Sequence, residues 1–118
     1  MENRIIDCSN REKGPRIHIW ITVKICHKEE KLRALVDTGS PATLINQKYI
    51  PSDAIPDEEC MLYGVNGSEH CFKYRVNIEI ESRDACYTFS NVLVTAFGKS
   101  DEQAIIGCNL ISLFGRND

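Results

Sequence analysis

Residues 16–37 read RIHIWITVKICHKEEKLRALVD. Ile17, Ile19, Ile21, Val23 and Ile25 alternate with His18, Trp20, Thr22 and Lys24. A side-chain period of two over ten residues is the pattern of a strand with one buried face. CHKEEK supplies a polar turn, and KLRALVD reads as a second strand that ends in the apolar step Ala34-Leu35-Val36. Residues 16–37 therefore read as a β-hairpin. His18 falls on the more polar face, where a histidine is ordinarily a surface residue.

Further along the chain the same alternation recurs between turn signals. TGSP is a turn by composition. Thr43-Leu44-Ile45 and Lys48-Tyr49-Ile50 are short apolar pieces, and PSDAIPDEE, residues 51–59, reads as an exposed loop with two prolines and four acidic residues. Gly64-Val65-Asn66-Gly67-Ser68 contains Asn-Gly, the strongest short hairpin signal. After it Phe72, Tyr74, Val76, Ile78 and Ile80 alternate with Lys73, Arg75, Asn77 and Glu79. Ser82-Arg83-Asp84 makes a turn, ACYTFSNVLVTAF another strand and GKSDE the last loop. AIIG is a short buried strand. Asn109 to Phe114 then reads as one or two helical turns, with Asn109 as a cap and Gly115 as the stop. Six to eight short hairpin-linked strands and one carboxyl-terminal helix define a mainly β fold, a closed or nearly closed barrel or a sandwich.

The chain has 118 residues, enough for one domain with one core, here residues 1–118 with the core at about 16–115. Hydrophobic residues make up 42% and charged residues 26%, and the formal net charge is -3. Those values fit a globular domain and argue against a binder of nucleic-acid phosphates, which needs a basic surface. No apolar run is long enough to cross a bilayer as a helix. The opening MENRIIDCSN lacks the apolar stretch of a secretory signal, so a reducing, cytoplasmic setting is expected. Cys8, Cys26, Cys60, Cys71, Cys86 and Cys108 are irregularly spaced with no C-x-x-C pair. Cys26-His27 and His70-Cys71 are adjacent, and neighbours on a strand point to opposite faces. The expectation is reduced thiols, no metal site and no cofactor.

Ala34-Leu35-Val36-Asp37-Thr38-Gly39-Ser40 places a carboxylate at the end of a buried strand, followed by Thr-Gly. Taken alone, Asp37 and Gly39 build an ordinary β-turn. Two further features accompany them. ALVDTGSPATLI resembles the active-site segment of retropepsin-type aspartic proteases, the enzymes of retroviruses and LTR retrotransposons. Seventy residues after Asp37, at Gly107, the stretch AIIGCNLISLFG resembles the second signature of that family. Between them, Gly64–Ser68 stands where the family keeps its substrate-covering flap; otherwise it is an exposed hairpin turn. The resemblance spans about residues 16–115. It implies a retropepsin-like closed β-barrel with a glycine-rich flap hairpin and one short carboxyl-terminal helix.

The implied chemistry is hydrolysis of peptide bonds by two carboxylates that share one proton and activate water. Aspartic proteases are the standing example of such sharing. DTG occurs once, and no other Asp or Glu is followed by Thr-Gly or Ser-Gly. One chain thus supplies half a site, and a C2 homodimer completes it. By the resemblance, Thr38 hydrogen-bonds across the axis, and Gly39 aims a backbone N–H at the carboxylates. The Ser40 hydroxyl would lower the dyad's apparent pKa by donating to it. Ser40, Ala42, Gly64, Val65, Asn66, Gly67, Ser68 and Ile105 would meet the substrate. Ile106 and Gly107 would pack behind the Asp37 loop, and Asn109 would serve the dimer contact or cap the helix. Pro41 and Ala42 depart from members with acidic residues there, since Pro41 has no N–H and Ala42 no carboxylate. Residues 1–15 and the tail Arg116-Asn117-Asp118 are polar, so an intersubunit sheet of chain ends would be small or differently built. The substrate implied is a retroelement Gag-Pol polyprotein, cleaved in the cytoplasm or within virus-like particles. Two alternatives stand beside this reading: a domesticated or inactive module of the same fold for dimerisation or peptide binding, and a generic small β-barrel with a chance DTG.

Overall fold

The computed structural model describes residues 4–7, 16–64, 67–82 and 84–114. In chain order the strands are β1 (Arg4–Asp7), β2 (Ile17–Ile25), β3 (Lys28–Val36), β4 (Leu44–Asn46), β5 (Glu58–Gly64), β6 (Gly67–Glu81), β7 (Cys86–Phe97) and β8 (Ala104–Ile106). A 3-10 turn, Gln47–Tyr49, follows β4, and helix α1 (Cys108–Phe114) follows β8. The strand order is β1-β5-β6-β2-β3-β8-β4-β7, and β7 pairs back onto β6. Six strands, β6, β2, β3, β8, β4 and β7, therefore close a barrel, from which β5 and β1 extend.

The hairpin read from residues 16–37 is present as β2 and β3, with a ladder from Ile17↔Val36 to Ile25↔Lys28. Its turn is shorter than CHKEEK suggests. Only Cys26 and His27 lie outside the ladder, and Cys26 takes φ +57°. A positive φ lets a two-residue turn follow the twist of its strands. Likewise Glu58 and Glu59, expected in a loop, begin β5.

Period two governs which side chains reach the core. Ile21, Val23 and Ile25 of β2 pack with Leu32, Ile78 and Ile106 inside the barrel. Each such side chain fully withdrawn from water contributes about 1.5–3 kcal/mol. Ile17 is in phase with them yet 58% exposed. Its partner Val36 lies next to Asp37, so this end of the strand projects toward the site rather than into the barrel.

The alternation of β6 carries a correction. The alternation puts Phe72 and Tyr74 on the face that buries Val76, Ile78 and Ile80; Tyr74 does pack against that core, but Phe72 does not. Cys71 and Lys73 are buried at that end instead, and Phe72 is 37% exposed. β6 is longer than the barrel. Its far half pairs with β2 and β7 and turns even-numbered side chains into the barrel core. Its near half pairs with β5 and turns odd-numbered ones toward a second apolar cluster. Lys73 is accommodated there by an ion pair with Glu58, 3.4 Å away.

Hairpins account for only part of the connectivity. β1 pairs parallel with β5, β3 with β8, and β4 with β7. The pairing of β3 with β8, from Ala34↔Ala104 to Val36↔Ile106, sets the Asp37 loop beside Gly107. The described cysteines, Cys26, Cys60, Cys71, Cys86 and Cys108, are free thiols. Cys8, Gly14, Pro15, Val65, Asn66, Arg83, Gly115 and the tail to Asp118 lie outside the described residues.

Candidate active site

Asp37 follows directly on β3, and its position is held from three sides. Its backbone N–H donates to the Ile106 carbonyl at 2.9 Å. Its carbonyl accepts the Ser40 N–H at 3.1 Å, closing a tight turn. The Gly39 N–H donates to carboxylate Oδ1 at 3.0 Å. The last contact meets the expectation that Gly39 points its amide at the carboxylate. Asp37 is 8% exposed within the single chain. Thr38, at the apex of the turn, is exposed, and its carbonyl accepts the Cys108 thiol at 2.9 Å.

Ser40 has a structural duty in the loop. It is buried, and its hydroxyl donates to the Ala42 carbonyl at 2.7 Å. Through that bond Ser40 fastens its own loop. Ala42 packs against the second apolar cluster, and its carbonyl faces Gly107.

The segment after β8 crosses behind this loop. The Cys108 N–H donates to the Ser40 carbonyl at 2.8 Å. The Gly107 N–H donates to Thr43 Oγ1 at 3.2 Å, and Thr43 Oγ1 donates to Asn109 Oδ1 at 2.7 Å. Thr43 is fully buried and its carbonyl accepts the Thr95 N–H at 3.0 Å. One hydroxyl thus joins β4, β8 and α1. Asn109 is not the helix cap: α1 begins at Cys108, and the Gly107 carbonyl accepts from the N–H groups of Leu110 and Ile111. Sequence reading passed over Thr43, because a β-branched residue beside Leu44 and Ile45 looks like any strand position. Replacing Thr43 by Val removes the donor to Asn109 and the acceptor for Gly107 while keeping the shape. The expected loss is about 2–3 kcal/mol, measured as a shift in the urea midpoint at constant slope.

His18 of β2 pairs with Leu35. Its Nε2 is 3.1 Å from Glu102 Oε1, and Arg16 Nη1 is 3.6 Å from Glu102 Oε2. The free surface histidine expected from the alternation is therefore half-buried in a charged group. The sequence holds no local sign of this, since Glu102 arrives through the β3–β8 pairing.

The flap is the β5–β6 hairpin, closed by the pair Gly64↔Gly67. Gly67 takes φ +96°, a conformation L side chains rarely adopt. Ser68 is exposed next to it. At the base, Cys60 and Cys71 face each other and join Leu62, Leu35, Leu44, Phe97 and Ile105 in the second apolar cluster. Ile105, expected on a subsite wall, is buried there between the flap base and the Asp37 strand. Burial, and after it the hydrogen bond to Glu69, pushes the Cys71 thiol up to about 12. Cys60 is also raised, chiefly by burial. Both are therefore neutral packing groups at ordinary pH.

The fold is a closed β-barrel that carries Asp-Thr-Gly at the end of β3 and a glycine-flanked hairpin between β5 and β6. The sequence matches the family described as retroviral aspartyl protease over residues 11–117, and the chain belongs to that family. Its activity is that of an aspartic endopeptidase. The solution structure of simian foamy virus (mac) protease superposes with TM-score 0.57 at 15% identity, covering 86% of this chain and 99% of that one. EIAV protease complexed with the inhibitor HBY-793 gives 0.54 at 15% identity, covering 86% and 89%. Both share the fold. No curated protein sequence matches the chain.

Proposed function

We propose that two copies of this chain associate about a two-fold axis and cleave peptide bonds with the paired Asp37 side chains. The observation that carries the reading is the single Asp-Thr-Gly, with Asp37 at the end of β3 and the Gly39 N–H 3.0 Å from its carboxylate. One carboxylate takes a proton from water while the water oxygen bonds to the peptide carbonyl carbon. The other carboxyl group, protonated, gives its proton toward the carbonyl oxygen. The tetrahedral intermediate then breaks its C–N bond as the amide nitrogen is protonated. Gly39 steadies the ionised form through its backbone N–H.

Thr38 joins the two loops across the axis. Apolar groups near the loop support an interface: Ile17, paired with Val36, is 58% exposed, and Leu113 on α1 is 45% exposed. A lone chain leaves such groups in water, and a partner covers them. Backbone groups from Gly64 to Ser68 close over an extended peptide, with Val65 and Ile105 toward its apolar side chains. The substrate is the Gag-Pol polyprotein of a retroelement, processed in the cytoplasm or inside assembling particles.

Sedimentation over a range of concentrations, run beside a peptide-cleavage assay with and without pepstatin, tests this. Specific activity is expected to fall on dilution in step with the loss of dimer, and pepstatin is expected to abolish it. A chain that stays monomeric at all concentrations and still cleaves would refute the shared site.

A further inference from the structure

The amino-terminal end of β6 is tied to the loop between β7 and β8. Glu69 Oε1 accepts the Gly98 backbone N–H at 2.7 Å and the Cys71 thiol at 3.4 Å. One residue before, the Ser68 carbonyl accepts the Lys99 ammonium at 2.6 Å. The partners lie 29 and 31 residues apart in sequence, so these contacts belong to the tertiary fold and not to the hairpin. Both tertiary contacts involve an ionised group, which makes them short and about twice as strong as neutral hydrogen bonds. Both run in the same sense: the loop donates through an amide and an ammonium, and the flap accepts through a carboxylate and a carbonyl.

The location gives the contacts a consequence. Lys99 leads through Glu102 to β8, whose Ile105 packs under the flap and whose Ile106 carbonyl holds the Asp37 N–H. The flap base is anchored by buried apolar packing at Cys60, Leu62 and Cys71. The contacts at Ser68 and Glu69 are solvent-exposed. Water competes for exposed partners, so these contacts open far more readily than the packed base. A roof that must lift for substrate and settle afterwards needs that combination of a firm base and a releasable edge.

We propose that Glu69 and Lys99 form a polar clasp with Gly98 and Ser68, which sets the resting position of the flap over the cleft, and that both are positioning residues for peptide cleavage. The catalytic half of this rests on the protease reading above; the clasp itself does not. It acts on substrate retention, through the position of the flap.

The test is amide hydrogen exchange on the full chain, compared among wild type, Glu69→Ala, Lys99→Met and Glu69→Gln, alongside steady-state kinetics on a peptide substrate. Loss of one charge-assisted contact is expected to raise exchange at residues 68–72 about tenfold, with the thermal midpoint unchanged. Glu69→Gln keeps a carbonyl oxygen for the Gly98 N–H and is expected to recover most of the protection. In the kinetics, KM rises several-fold in Glu69→Ala and Lys99→Met while kcat stays within about twofold. Unaltered exchange in both variants overturns the clasp, whatever the activity. Raised exchange with an unaltered KM overturns the positioning role. Raised exchange in a protein whose wild type cleaves no peptide upholds the clasp and sinks the protease reading instead.

Discussion

Asp37→Asn is expected to lower kcat/KM for peptide cleavage by at least about 10³-fold, with the thermal midpoint essentially unchanged. The substitution keeps shape and keeps an Oδ1 that accepts the Gly39 N–H, which is 3.0 Å from it in the native loop. The backbone contacts to Ile106 and Ser40 do not involve the side chain and persist. An amide, however, neither takes a proton from water nor returns one to a leaving nitrogen. The amide fills the same buried space and keeps the Gly39 bond, so folding does not suffer. The half-site argument adds a second readout. Titrating Asp37→Asn chain into wild type is expected to depress activity per wild-type chain, because mixed dimers hold one carboxylate where two are needed. Equal cleavage by wild type and Asp37→Asn would remove Asp37 from the chemistry; undiminished activity on mixing would place a complete site on one chain.

What the sequence disclosed follows the reach of each interaction. The β2–β3 hairpin was legible because its partners are neighbours and its pattern has one period. The Asp-Thr-Gly turn was legible because three adjacent residues carry it. The resemblance placed Gly107 behind the Asp37 loop; from the residues alone nothing did, for parallel pairing of β3 with β8 joins segments far apart in the chain. The same holds for the bond from Thr43 to Asn109, which spans 66 positions, and for the hydrogen-bond contact of His18 with Glu102, which spans 84. Ser40 shows the limit at short range. The bond from its hydroxyl to the Ala42 carbonyl, two residues on, leaves no mark in the residue pattern. On β6 the two-residue period was read correctly but not its change of duty, because both faces of that strand are used at different points along it. Lys73 and Cys71 looked like a solvated cation and an incidental thiol, and only the second apolar cluster makes them interior groups.

Gly107→Ala is expected to destabilise the protein by about 4 kcal/mol or more, the range reserved for changes that a fold has no way to absorb. A Cβ built at Gly107 lies 2.2 Å from the Ala42 carbonyl oxygen, 2.5 Å from its carbon and 2.7 Å from the Ser40 carbonyl oxygen. All three are backbone atoms, so no rotamer change relieves the contact. Nor is the backbone free to retreat. The Ser40 carbonyl accepts the Cys108 N–H at 2.8 Å, and Gly107 itself donates to Thr43 Oγ1. Moving either strand of this crossing breaks a bond buried from water, at about 1–3 kcal/mol for each group left without a partner. The alternative is to push the Asp37–Ala42 loop outward, which displaces Asp37 from the Ile106 carbonyl. The glycine is thus required by close approach and not by backbone conformation: no positive φ is found there, in contrast to Gly67. Gly67→Ala therefore serves as the comparison, since its Cβ meets nothing within 4 Å and only the conformational penalty of about 1 kcal/mol remains. Urea unfolding of the two variants, followed by tryptophan fluorescence from Trp20, is expected to place Gly107→Ala far below Gly67→Ala. Midpoints that coincide would show that the loop yields without loss, and with it would go the view that this crossing holds Asp37 in place.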